Sequence, residues 1–168
     1  MLDELDAIDK TITVVFYGDH LPGIYSTAGE DDNNSLALHL TDYFIWSNKA
    51  SSSQGTKNEN SEYTSPNYFI AQAAEHMNAK VSPFLAFLTQ MHEHVSAMEP
   101  PVVNNIQGWS RIPEGQPIYL DADGNPMVES EMDAATRQLL EDYKLIQYDV
   151  TAGDGYLKDL GFMDAPER

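Results

Sequence analysis

The chain predicts an α/β fold, a small and mostly parallel sheet flanked by helices, and three observations carry that prediction. Thr13 to Tyr17 (TVVFY) is an unbroken run of β-branched and aromatic residues, the composition of a strand buried on both faces. Three later stretches repeat apolar residues at helical spacing behind clear start signals. The 168 residues, 42% of them hydrophobic, are enough for one domain with a real core.

Leu2, Leu5 and Ile8 stand at helical spacing among Asp3, Glu4, Asp6 and Asp9, which predicts the end of an amphipathic helix leading into the strand. The strand stops at Gly18, which is expected to let the backbone turn sharply, and Pro22 and Gly23 forbid a regular continuation. Asp19 and His20 are thereby placed at a strand's carboxyl end, the edge where open α/β sheets bind ligands. A carboxylate oxygen beside an imidazole nitrogen suits a divalent transition metal. Two side chains do not close a site, and an alternative has Asp19 capping a turn with His20 at the surface.

Ile24 to Ser35 reads as an acidic, turn-rich loop beside the expected site, a candidate lid, whose Glu30, Asp31 and Asp32 either touch a metal or form a solvated face, and a run of like charges fits the latter better. His39, in LALHL, is a candidate for substrate binding by its nearness in sequence alone. Asp42 to Trp46 predicts a short aromatic strand in the same sheet. Lys49 to Thr64 is polar and long, an exposed loop, flexible or disordered.

Ser65-Pro66 and Ser82-Pro83 are two successive helix starts, each an N-cap followed by proline at the first helical position. Phe69, Ile70, Ala73, Ala74 and Met77 form the first stripe, and Phe84, Phe87, Leu88, Met91, Val95 and Met98 the second. His92 and His94 lie two apart on the second helix, so they cannot converge on one ion and are expected to face solvent. Pro100 and Pro101 end it, and Trp109 is the expected anchor of the irregular segment beyond.

Asp121, Asp123 and Asn125 match the opening of an EF-hand loop, but glycine falls at the wrong position and Met132 stands where the closing acid belongs. Ile118 to Val128 is therefore expected to be a hairpin. Ser130 and Asp133 start the longest helix, with Met132, Leu139, Tyr143, Ile146 and Val150 on its apolar stripe and an end near Gly153. Gln147, Tyr148 and Asp149 are expected as buried polar groups tying that helix to the core.

VVFYGDHLPG, TDYFIWSN at Thr41 to Asn48, SPNYF at Ser65 to Phe69 and LIQYDVTAG at Leu145 to Gly153 together resemble the sulfatase-like phosphoglycerol transferases, the lipoteichoic acid synthase family of the alkaline phosphatase superfamily. The resemblance implies that Asp19 and His20 are metal ligands, for Mn²⁺ first and Zn²⁺ or Mg²⁺ as alternatives. It also implies that a nucleophilic Thr and a metal-binding Glu lie upstream of this chain. On that basis residues 1–168 are expected to be the carboxyl-terminal portion of a sulfatase-like catalytic domain. The missing amino-terminal half is then its partner, and the piece is inactive alone.

Family chemistry moves a glycerol-phosphate unit from a phospholipid headgroup to a glycan or polymer acceptor in the cell envelope. Relatives hold the catalytic domain outside the cell on amino-terminal membrane helices. Two alternatives stay open at this point: a sulfatase or phosphodiesterase-type hydrolase, in which water replaces the acceptor, and a non-catalytic acidic binding module. With 9 Lys and Arg against 27 Asp and Glu, the formal net charge of -18 opposes binding to nucleic acid. The absence of cysteine excludes disulfides and thiolate chemistry. No apolar stretch is long enough to span a bilayer, so the piece itself is expected to be soluble.

Overall fold

A computed structural model describes residues 1–21, 39–99 and 117–167. The chain divides into two compact units, one of residues 1–55 and 100–117 and the other of residues 56–99 and 118–168.

In the first unit, helix α1 (Leu2–Asp6) leads to strand β1 (Thr13–Tyr17), which pairs with β2 (Tyr43–Ser47). The pairing is antiparallel, with Thr13 opposite Ser47 and Tyr17 opposite Tyr43, and this corrects the parallel sheet expected from sequence. An apolar run specifies a strand but not its partner's direction. Nor is β1 buried on both faces: Phe16 is 51% and Tyr17 49% exposed, and Phe16 stacks on its cross-strand partner Phe44 at 5.2 Å between ring centroids.

What fastens this unit is polar. Asn48, fully buried, accepts the Ile12 N–H at 3.0 Å and turns its amide nitrogen toward the Lys10, Ile8 and Leu5 carbonyls, nearest to Lys10 at 2.8 Å. It stitches the turn after α1 to the end of β2. Asp6 adds a bond from the Lys49 N–H at 2.7 Å.

The second unit is built on helices α2 (Phe69–His76), α3 (Pro83–His94) and α4 (Ala134–Thr151), with a two-stranded antiparallel sheet of β3 (Ala97–Glu99) and β4 (Ile118–Leu120). Tyr68, Ala71, Leu88, Met91, Val95, Tyr119, Met132 and Leu140 form its core. Ser82 caps α3 by accepting the Leu85 N–H, and Asp133 caps α4 by accepting the Thr136 N–H at 2.8 Å, both as their sequences predict. Ser65 does not cap a helix with its side chain; a single 3₁₀ turn, Pro66–Tyr68, intervenes, and the Ser65 hydroxyl instead accepts the Met98 N–H at 3.0 Å. The expected hairpin forms: Leu120 bridges Pro126, and Asp121 accepts the Asp123 and Asn125 N–H groups inside the turn. Gly124 takes a φ of +80° there. A short helix, α5 (Tyr156–Asp159), follows α4.

Several burial expectations are reversed. Ile70 is 63% exposed, because α2 turns Ala71, Gln72, Ala73, Ala74 and His76 inward instead. Small residues let α2 pack closely, and a polar partner inside repays the burial of Gln72. Met98 belongs to β3 and not to the α3 stripe, since α3 ends at His94. Gln147 and Tyr148 are exposed rather than buried, and Asp149 accepts the Tyr156 and Leu157 N–H groups at 3.0 Å, capping α5. The segment 49–64 is mostly exposed but not featureless: Ser53 is buried, and Asn58 donates to the Gln72 carbonyl at 2.8 Å. The Glu30–Asp32 run and Trp109 lie outside the described residues.

Candidate metal site

Strand β1 delivers Gly18, Asp19 and His20 to its carboxyl end, as predicted, and the local geometry is specific. Gly18 prolongs the ladder by donating its N–H to the Asp42 carbonyl at 3.1 Å. The Thr41 hydroxyl donates to the Gly18 carbonyl at 2.7 Å. Gly18 is not among the positive-φ glycines, so the sharp turn expected from its flexibility is not its role. Its small size is: a Cβ there meets the Thr41 Cβ at 3.1 Å, closer than most real contacts.

Beyond Gly18, Asp19 accepts the His20 N–H on Oδ1 at 2.9 Å. His20 Nδ1 lies 2.9 Å from the Leu21 carbonyl oxygen. A carbonyl only accepts, so Nδ1 carries the proton, and a neutral ring keeps its lone pair on Nε2. That nitrogen stands 3.6 Å from Asp19 Oδ2. Two ligand atoms bound to one ion at about 2.0–2.2 Å, with angles between tetrahedral and octahedral, lie about 3–3.6 Å apart. The donor set and its spacing therefore fit a divalent transition metal. Both side chains point into solvent, 82% exposed for Asp19 and 76% for His20, where an ion pair between them contributes little by itself. Among the described residues no group of three or more His, Cys, Asp or Glu gathers to hold a metal.

His39, the remaining sequence candidate, is half-buried two positions before Thr41. The expectation that His92 and His94 both face solvent is corrected. His92 is only 5% exposed; its Nε2 stands 3.1 Å from Gln72 Nε2, and the edge of its ring meets Tyr68 at 5.0 Å between centroids. Burial pushes its pKa below the ordinary histidine value, against smaller upward influences from a hydrogen bond to the Tyr63 backbone and from Glu93. His94 instead meets the Thr136 hydroxyl at 3.0 Å. Sequence reading missed Thr41, whose importance depends on the register that brings it to Gly18; the only signal in the sequence is a small hydroxyl residue just ahead of the second strand.

Comparison with known proteins matches this architecture. A family model described as Sulfatase matches residues 1–79, the segment containing both strands and the Gly18-Asp19-His20 motif. Among solved structures, the Streptococcus pyogenes phosphoglycerol transferase GacH, determined in complex with sn-glycerol-1-phosphate, is similar at 31% identity with a TM-score of 0.64. That alignment covers 98% of this chain and 34% of GacH, so the chain spans about a third of the length of the structure it matches. A search of curated proteins returned no match. No helix among the described residues is long and apolar enough to cross a membrane. With the Asp-His pair standing at the end of an apolar strand and the similarity covering 98% of the chain, the chain is similar to the sulfatase-like phosphoglycerol transferases.

Proposed function

We propose that this chain is the carboxyl-terminal portion of a metal-dependent phosphoglycerol transferase that transfers glycerol phosphate in cell-envelope polymer or glycan modification. One observation carries the reading: the 31% identity to a phosphoglycerol transferase is held over 98% of the chain. Asp19 and His20 supply two ligands to one divalent cation, Mn²⁺ first, through Oδ2 and Nε2. Asp19 contributes negative charge and keeps its other oxygen on the His20 N–H, while the Leu21 carbonyl holds the imidazole in the tautomer that binds through Nε2. A bound cation there supplies a Lewis acid for negative charge on phosphate oxygens and on an attacking oxygen. The nucleophilic Thr, the remaining ligands and the membrane anchorage belong to the part of the enzyme outside this chain.

The test joins this chain to the amino-terminal portion of a sulfatase-like domain, so that the two together complete it, and measures transfer of glycerol phosphate from a phospholipid headgroup. Asp19→Ala should reduce turnover by several orders of magnitude while the circular dichroism spectrum stays unchanged, because an exposed loop carboxylate supports no core. The chain by itself should show no turnover. Full activity of the Asp19→Ala enzyme, or Asp19-dependent turnover by the chain alone, overturns the proposal; release of free glycerol phosphate without an acceptor product reassigns it to a hydrolase.

A further inference from the structure

We propose that Thr41 is a positioning residue for the Asp19–His20 pair, an inference that rests on the metal reading above. The ladder between β1 and β2 has its last pair at Tyr17 and Tyr43, and past it the chain carrying both ligands must be held by something else. Among the described residues the hydrogen bonds made by Asp19 and His20 are local, each spanning one residue: Oδ1 to the His20 N–H, and Nδ1 to the Leu21 carbonyl. Such bonds shape the loop but do not anchor it to the sheet. The anchors lie one residue earlier, where Asp42 takes the Gly18 N–H and Thr41 binds the Gly18 carbonyl.

The carbonyl bond matters more for the site. The Gly18 carbonyl and the Asp19 N–H belong to one rigid, planar peptide unit, so a hydroxyl that fixes the carbonyl also fixes the direction in which Asp19 leaves the strand. Thr41 does this from a half-buried position 2.7 Å away, and its Cβ fills the room that a side chain at position 18 would need. Loss of the bond frees the Gly18–Asp19 peptide to rotate, so that Asp19 and His20, whose 3.6 Å separation of Oδ2 and Nε2 is set within the pair, swing together away from the direction in which the strand aims them. Supporting contacts of this kind are as much a part of a metal site as the ligands.

Isosteric changes separate the hydrogen bond from the packing. Thr41→Val keeps the shape and removes the donor; Thr41→Ser keeps the donor and removes the methyl. The ¹⁵N-labelled chain, joined to the rest of the sulfatase-like domain as above, is titrated with Mn²⁺, and relaxation broadening of the amides of residues 18–21 is read for the wild type, both Thr41 variants, Gly18→Ala and Asp19→Ala. Thr41→Val and Gly18→Ala should each weaken binding about tenfold, with Thr41→Ser within about twofold of the wild type. The amide shifts along β1 and β2 should stay in place, which a general loss of structure does not allow. Wild-type affinity in Thr41→Val, or equal weakening in Thr41→Val and Thr41→Ser, overturns the positioning role while leaving the metal reading standing. Binding that ignores Asp19→Ala removes the metal reading, and the positioning role with it.

Discussion

The two compact units are held by different kinds of interaction. Every buried hydrophobic residue among those described lies in the second unit, from Tyr68 to Ile146, whereas the buried residues described in the first are Ser47, Asn48 and Ser53. The second unit has the ordinary chemistry of a folded domain, with apolar stripes of three helices closed over a common core. The described residues of the first include a two-stranded ribbon whose aromatic side chains stay half in water and which is tied by hydrogen bonds centred on Asn48. A two-stranded ribbon is marginal on its own. The candidate ligands thus sit at the end of this ribbon, on a sequence rich enough in Val, Phe and Tyr to be covered on both faces.

The comparison is tested most severely in the core. Met91 is fully buried, and Met91→Ala should cost the second unit about 2–5 kcal/mol in denaturant unfolding. A loss under about 1 kcal/mol would mean that the helical unit is as loosely packed as the ribbon. Next comes the polar staple. Asn48→Ala leaves the Ile12 N–H and the Lys10 carbonyl without their partner and should cost about 1–3 kcal/mol, read as faster hydrogen exchange of β1 and β2 with the second unit's protection unchanged. Equal loss of protection in both units would show that the staple serves the whole chain.

A smaller effect is expected from His92. Its folded pKa is depressed, so between that value and the unfolded value of 6.5 the unfolded chain binds more protons than the folded one. Stability of the second unit should therefore be fully present above about pH 6.5 and decline as pH falls below it. His92→Gln should flatten that slope. An unchanged slope would assign the acid sensitivity to other groups. The smallest change is Ser82→Ala, which removes the cap of α3 and should cost about 1 kcal/mol in the second unit alone.

Sequence by itself determined those features that depend on neighbours along the chain. Ser82 and Asp133 each precede a helix by the spacing that lets a side-chain oxygen reach a free N–H, so both starts were legible. The strand at Thr13–Tyr17 and the placing of Asp19 and His20 at its end were legible too, because the β-branched run and the break after it are local. Only the tertiary structure decided what depends on distant partners. Direction of pairing requires knowing that Thr13 faces Ser47 and Tyr17 faces Tyr43. The inward turn of Gln72 and His92, far apart in sequence, is tolerable because each satisfies a polar atom of the other when both leave water. In the same way Asn48 acts across nearly forty residues on the α1–β1 turn, and Thr41 reaches Gly18 only when the register brings a hydroxyl within 2.7 Å of its carbonyl. Local propensities are short-ranged, whereas a hydrogen bond between remote residues exists only after the chain has paid the entropy of closing the loop between them.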